Sequence, residues 1–389
     1  MRVLALKVIA FYLPQFHEIE ENDKWWGSGF TEWVNVRKST PLFDGHEQPR
    51  LPYEGNYYNL LDDDVKLWQA TLAKQYGVYG FCYYHYWFNG KLLLEKPMEQ
   101  MLANKAIDMP FCICWANEAW TRAWVGGSET LVPQHYGGEK EWEDHFDYLL
   151  PFLKDERYIT EDGMPLVVIY RPEVIGCLKE MLAHWRYLAR QAGLPGLKIA
   201  YQQVTADTTP GFSSQAFDYS IEFQPAYAMV FGDANKPWVK KTRFWGVLRS
   251  AKRLCHNLFE RVTGEDLGRR AIERQGKLQT IDYDSIWDDI LSMSPTSSKS
   301  LPGCYVGWDN TPRYGIKGMV HVGATPEKFR GYMSRMIRRS KEDYGSEYLF
   351  LTAWNEWAEG CIMEPDNIHG YAYLEALKGA LEDCGEYPF

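Results

Sequence analysis

Eight short apolar runs, at residues 7–13, 78–84, 110–115, 165–170, 197–202, 219–223, 304–308 and 348–354, constrain the fold more than any other feature of the chain. They are rich in Val, Ile, Phe and Tyr, and several are continuously apolar. That is the pattern of parallel strands covered on both faces. Most are followed by a helical pattern. After Asp62-Asp63-Asp64, the residues Val65, Trp68, Leu72 and Tyr76 recur at helical spacing, and Gly77 supplies the stop. Further helices are read over 139–153, 173–191, 326–339 and 369–381, the third opening with Pro326 after Thr325. An eightfold strand–helix alternation predicts an α/β fold, a (β/α)8 TIM barrel, because closing the sheet removes both of its edges. A single barrel domain over residues 1–389 is expected. Two connections are long. Residues 18–59 follow strand 1 and are rich in Trp, Pro and Gly. Residues 224–300 form an expected helical insertion between strands 6 and 7, with helices over 241–262 and 265–275 and a Ser-rich loop over 292–300. Connections of this length usually carry function, and this one is expected to cap the barrel mouth.

Composition narrows the partners. The formal net charge is -10, and no Lys/Arg block alternates with aromatics, which argues against nucleic acid. The chain holds 16 Trp, 26 Tyr and 18 Phe, many of them near strand ends. Buried Trp and Tyr require partners for their N–H and O–H groups, so a ligand surface is expected to account for part of this content. Of eight cysteines, Cys112 and Cys114 share a strand face, but no second close pair completes a zinc site. Free core thiols of a reducing compartment are the expectation, with a disulfide left open. No Gly-x-Gly-x-x-Gly, Walker, Gly-x-Ser-x-Gly or His-Glu-x-x-His motif occurs, so neither a cofactor nor a metal is expected. The first twelve residues read as a strand and not a leader, since Lys7 interrupts them and no small-residue cleavage site follows. No apolar stretch reaches membrane-spanning length. The expected location is cytoplasmic, or periplasmic or secreted if a leader was removed ahead of this numbering.

The eighth run gives way to Asn355-Glu356-Trp357-Ala358-Glu359-Gly360. Two carboxylates three residues apart, at the exit of a barrel strand, are placed where such folds keep an acid and a base. Glycosidic hydrolysis uses one group to protonate the leaving oxygen and a second carboxylate as nucleophile or base. In an extended strand these positions face opposite ways, so Glu356 and Glu359 converge only if the chain turns after Trp354 or Asn355, which Gly360 permits. The flanking Trp354 and Trp357 suggest stacking on a flat, hydroxyl-rich ring, most simply a sugar.

Other strand ends offer polar and aromatic groups together. The first strand and its loop contribute Tyr12, Glu32 and Trp33, although Glu32 serves equally to stabilise the loop. The second supplies His85, Tyr86, Trp87 and Asn89; His85 is either a substrate contact or a satisfied core histidine. The third supplies Trp115, Asn117, Glu118, Trp120 and Trp124, with a Glu118–Arg122 pair as the structural alternative. Strands four, five and six end near Arg171, Gln202 and Glu222, and Glu222 is either a site residue or a buried carboxylate paired to Arg171. Strand seven leads to Trp308, Asp309, Arg313 and Tyr314, and strand eight adds Asn355. Such a mouth would be wet, acidic and lined by aromatics, matching an oligosaccharide or polysaccharide partner. A transferase using the same carboxylates and a non-catalytic glycan-binding scaffold are the rival functions.

Several stretches together resemble the WbsX-like proteins, also described as glycoside hydrolase family 99-like. They are Ala10-Phe11-Tyr12-Leu13-Pro14-Gln15-Phe16-His17, residues 25–33 and 80–89, Trp115-Ala116-Asn117-Glu118 with Trp120, and residues 354–360. The resemblance spans nearly the whole chain and implies a (β/α)8 barrel acting on glycans. Family 99 comprises retaining endo-α-mannosidases and endo-α-mannanases with a Glu-Trp-x-Glu motif, which Glu356-Trp357-Ala358-Glu359 matches. The match implies that Glu356 deprotonates the sugar 2-hydroxyl, giving a 1,2-anhydro sugar that water then opens, and that Glu359 is the general acid/base. The chain departs at the third position, Ala358, where the family usually has His. Mannose- and rhamnose-type α-linkages both meet the stereochemical requirement.

Overall fold

The structure is a computed structural model that describes residues 5–122, 129–204, 213–233 and 278–388. Eight parallel strand positions form a near-closed barrel. They are β1 Lys7–Tyr12, β2 Val78–Phe88, β3 Phe111–Trp115, β4 Met164–Ile169, β5 Lys198–Gln203, β6 Tyr219–Glu222, β7 in two halves, Ser300–Leu301 and Gly303–Tyr305, and β8 Tyr348–Thr352. Sequence neighbours lie side by side, and β1 returns to β8 with Lys7 opposite Tyr348. Pro302 divides β7 because it has no N–H to donate. The first half pairs with β6, Ser300 opposite Ser220, and the second with β8, Gly303 opposite Phe350. The TIM-barrel expectation is met.

Helices surround the sheet: α1 Glu20–Trp26, α2 Glu32–Lys38, α3 Asp63–Gln75, α4 Lys96–Ala103, α5 Glu139–Leu153, α6 Leu178–Gln191, α7 Ala226–Phe231, α8 Tyr283–Ser292, α9 Thr311–Tyr314, α10 Pro326–Glu342 and α11 Ala372–Asp383. Some of their starts follow side-chain chemistry. Asp62 accepts from the Asp64 N–H ahead of α3, and Thr325 accepts from the Lys328 N–H ahead of α10. Helix α10 buries Phe329, Met333, Met336 and Ile337 as one stripe. The barrel side of the core is made by strand residues such as Val8, Ile9, Val168, Ile199 and Leu349. Among the described residues no helix is long and apolar enough to cross a membrane.

Several boundaries differ from the sequence reading. Strand β2 runs on to Phe88 and folds back onto Lys91–Leu93, with Trp87 opposite Leu92. Helix α6 starts at Leu178, because Pro172–Val174 is a separate 3-10 turn. Strand β7 begins at Ser300, inside the stretch read as the end of a loop, since serines and a proline conceal a buried edge-to-edge pairing. The helices expected over 241–262 and 265–275 lie outside the described residues. The rest of that connection contributes α7, α8 and the strand Gln279–Asp282, which pairs in parallel with Met319–Val322.

Candidate active site

The chain turns after β8 as the two-glutamate reading requires. Asn355–Glu356 pairs antiparallel with Cys361–Ile362, Glu356 standing opposite Cys361. Trp357–Glu359 makes one 3-10 turn between them, and Gly360 closes it with φ 66. A Cβ at Gly360 would stand 2.9 Å from the Asp309 nitrogen, so the left-handed backbone and the close approach both call for glycine here. The hairpin is tied to its neighbours. Asn355 Oδ1 accepts from the Leu13 N–H at 2.7 Å, and its Nδ2 donates to the Leu13 carbonyl at 3.0 Å. The Asp309 N–H donates to the Glu359 carbonyl at 2.7 Å. The exits of β1, β7 and β8 are therefore joined at this point.

Both glutamates face one cation. Arg313, on α9, donates from Nη1 to Glu359 Oε1 at 2.5 Å and from Nη2 to Glu356 Oε1 at 2.6 Å. Its Nε donates to Glu32 Oε2 at 3.3 Å, bringing in α2 from the long first connection. Arg313 exposes 6% of its side chain, Glu356 10% and Glu32 0%, whereas Glu359 keeps 22%. Burial pushes the Glu356 carboxyl up to about 8; Arg313 pulls against this, and Glu359 and Glu32 add to the rise. Glu359 is raised for the same reasons: burial first, opposed by Arg313, reinforced by Glu32. Burial disfavours the Arg313 charge, but the three carboxylates outweigh it and hold the guanidinium protonated. Tyr86, whose hydroxyl accepts from Gln15 Nε2 at 3.1 Å, interacts with Glu356 and Arg313. Tyr84, whose hydroxyl accepts from Gln202 Nε2 at 3.2 Å, also senses Glu356, and Tyr170 senses Glu359 and Glu118. Gln202 and Tyr86 thus join Glu32, Arg313 and the two glutamates. Tyr84, Tyr170 and Gln15 are additions that sequence reasoning missed, although Tyr84 and Tyr170 stood at strand exits.

Trp354, Trp357 and Trp33 do not present faces to a ligand. Trp354 is fully buried against Phe81, ring centroids 5.2 Å apart. Trp357 is buried too, donating from Nε1 to Glu364 Oε2 at 2.7 Å and packing on Trp33. Trp33 in turn donates to the Tyr58 carbonyl at 2.8 Å. Tyr12 is likewise interior, its hydroxyl donating to Gln69 Oε1 at 2.7 Å. These residues support the hairpin from behind. The expectation that Trp354 and Trp357 stack on a sugar is corrected: space behind the turn had to be filled, and large rings with one N–H each fill it.

Other predicted contacts have partners within the protein. His85 Nε2 lies 3.0 Å from His145 Nε2 between the barrel and α5, where Trp87 stacks on His145 and Trp115 packs edge-on to it. Asn89 has φ 48 and is followed by Gly90 at φ 83, the two-residue turn of the β2 hairpin. Asn117 exchanges two hydrogen bonds with the Arg171 backbone, each 2.8 Å, joining the ends of β3 and β4. Glu118 pairs with Arg171 and not Arg122, which pairs with Glu129. Glu222 accepts from the Tyr344 hydroxyl at 2.7 Å and not from Arg171, so it faces the connection that enters β8. Asp309 accepts from Gln48 at 2.6 Å and from Thr311, and meets His46 at 2.8 Å, anchoring the long first connection. Trp120 packs on Tyr86 at 5.2 Å, while Trp308, ahead of α9, and Tyr314, at its end, are half-buried. Trp124 lies outside the described residues.

A family model described as Glycosyltransferase WbsX matches residues 8–377. Two curated relatives, each named Uncharacterized protein WxcX and found in two strains of Xanthomonas campestris pv. campestris, are 36% and 35% identical over 382 residues. The alignment takes in 97% of this chain and 50% of each relative, so the chain spans about half their length. Among solved structures, a glycoside hydrolase-like protein superposes with TM-score 0.55 at 13% identity, covering 97% of this chain and 94% of the other. The GH99 endo-alpha-mannosidase of Bacteroides thetaiotaomicron, in complex with bis-tris-propane, gives TM-score 0.53 at 14% identity, covering 99% of both. At such identity the likeness is one of fold. With the family match running from β1 into α11, the chain belongs to the WbsX family and has a fold like that of the GH99 enzymes.

Proposed function

We propose that this protein is a retaining, endo-acting glycoside hydrolase that cuts an α-linked glycan of the mannoside or rhamnoside type. The supporting observation is the convergence of Glu356 and Glu359 on one guanidinium at the exit of β8. In this reading Glu356 takes the proton of the 2-hydroxyl as O2 attacks C1, and Glu359 protonates the departing glycosidic oxygen. The 1,2-anhydro sugar is then opened by water, with Glu359 taking the water proton and Glu356 returning one to O2. Their shared elevation supports one part of this reading: a close, buried pair beside a single cation holds a proton into the neutral range. The names of the fold relatives, a GH99 endo-alpha-mannosidase and a glycoside hydrolase-like protein, support the substrate class.

The family description favours a second reading, a transferase in which a sugar hydroxyl replaces water at the same carboxylates. One assay separates the two. Purified protein is incubated with a panel of defined α-mannosides and α-rhamnosides, and products are followed by mass spectrometry and by NMR of the new anomeric centre. Hydrolysis with retention is expected. Glu359→Gln and Glu356→Gln should each lower kcat by about 10²–10⁴-fold with glycan binding kept. Unchanged turnover in either variant would exclude the assignment. Transfer from a nucleotide-sugar donor without hydrolysis would establish the second reading.

A further inference from the structure

We propose that Arg313, held from behind by Glu32, is the positioning residue that orients Glu356 and Glu359 and balances their charge, and is not itself a sugar contact. The inference rests on the glycosidase reading of this site. A guanidinium is a planar fork of five N–H donors, able to hold separate acceptors at fixed angles. Here each Nη takes Oε1 of a different glutamate, and Nε takes Glu32. One oxygen of each glutamate is thereby fixed, which leaves Oε2 of both for substrate. Arg313 is almost entirely enclosed, with 6% of its side chain exposed, so little of it is open to a substrate. Glu32 is fully buried, and its Oε1 has no hydrogen-bond partner, so its charge acts mainly through Arg313 and through space on the pair.

The cluster sets three acids against one cation, and the two supporting charges act in opposite directions. Arg313 favours ionisation of Glu356 and Glu359, whereas Glu32 opposes it. Among the described residues, the other ionisable groups that interact with the pair are Tyr84 and Tyr86 on β2, Tyr170 just after β4 and Cys361 in the hairpin, all pushed toward their neutral forms by burial, while Tyr314 acts on Arg313. Arg313 and Glu32 therefore dominate the local charge balance.

The test titrates the side-chain carboxyls of 13C-labelled protein by NMR, using E356Q and E359Q for assignment, in Arg313→Met, Arg313→Lys and Glu32→Gln. The pH–rate profile on a cleaved glycan is measured alongside. Arg313→Met should move the carboxyl midpoints and both limbs of the profile up by about 1–3 pH units and lower kcat more than it changes KM. Glu32→Gln should move them down. Arg313→Lys should keep midpoints near the parent yet leave kcat low, since a point charge restores the balance but not the fork. Shifts of the same sign in Arg313→Met and Glu32→Gln, or none, would overturn the proposal. If Arg313→Met does not fold, the sign of the Glu32→Gln shift decides. Opposite midpoint shifts without any glycan cleavage would sink the hydrolase reading and leave this one standing. Cleavage with unmoved midpoints would do the reverse.

Discussion

Glu364 is the residue on which the rear of the site depends. It accepts from Tyr58 Oη at 2.7 Å, Gln69 Nε2 at 2.6 Å and Trp357 Nε1 at 2.7 Å, all donors. Burial still pushes its carboxyl up to about 7 against the pull of those bonds. A carboxylate satisfies three donors, whereas an amide would turn an NH2 group toward one of them. Glu364→Gln should therefore lower stability by about 1–3 kcal/mol in urea denaturation, and it should loosen Trp357, the neighbour of Glu356. A loss below about 0.5 kcal/mol would show that the ring of donors does not hold the turn. Sequence alone pointed to Glu32, Arg313, Glu356 and Glu359 through residue type and strand-exit position. It did not point to Glu364, whose partners come from residues 58, 69 and 357 and share no local pattern. Trp354, Trp357, Trp33 and Tyr12 were read as ligand contacts because a packed ring and a stacking platform look alike until the tertiary fold decides which face is open.

At the scale of elements, the long β2 strand shows how turn chemistry competes with functional pattern. Tyr86 reaches Gln15 and the glutamate cluster because β2 continues past the barrel and is braced by Lys91–Leu93. The brace depends on Asn89-Gly90, where both residues have positive φ. That dipeptide is a hairpin signal in the sequence, but its aromatic neighbours give Asn89 the pattern of a sugar contact. Gly90 has open space around its missing Cβ, so Gly90→Ala isolates backbone strain from steric clash. It should weaken the hairpin by about 1–2 kcal/mol, seen as faster amide exchange in the Tyr86–Leu93 ladder while the β1–β8 ladder is unchanged. Uniform acceleration across the barrel would mean that the hairpin is not a separate unit. Strand and helix identity was legible for the same reason that these elements are stable, since apolar period and buried face coincide. Ends were less legible: Pro302 and the serines before it hid the start of β7, whose pairing with β6 is a long-range contact.

Over the whole molecule, buried ionisable groups set how stability varies with pH. Glu222 and Glu364 are pushed up to about 7 and Glu356 to about 8, in each case first by burial. Their carboxyls ionise more readily in the unfolded chain, so the folded state binds more protons and stability falls as pH rises from about 4.5 through these values. His85 and His321 are pushed down to about 3 by burial, so their contribution is complete above about pH 6.5 and fades as the pH falls toward 3. Below pH 6.5 the two sets oppose each other. Between pH 6.5 and 8 the remaining histidine contribution, from unfolded-state imidazoles still partly protonated at the lower end, is smaller than that of the carboxyls, which set the trend. Unfolding free energy should therefore decline across that interval, by on the order of 1–3 kcal/mol in total, in urea titrations at constant ionic strength. Glu222→Gln removes one of the three carboxyls while keeping an acceptor for the Tyr344 hydroxyl, so its decline should be shallower. A profile that is flat or rises from pH 6.5 to 8 would mean that these carboxyls are not kept protonated by the fold, and the proton assigned to the glutamate pair would lose its physical basis with them.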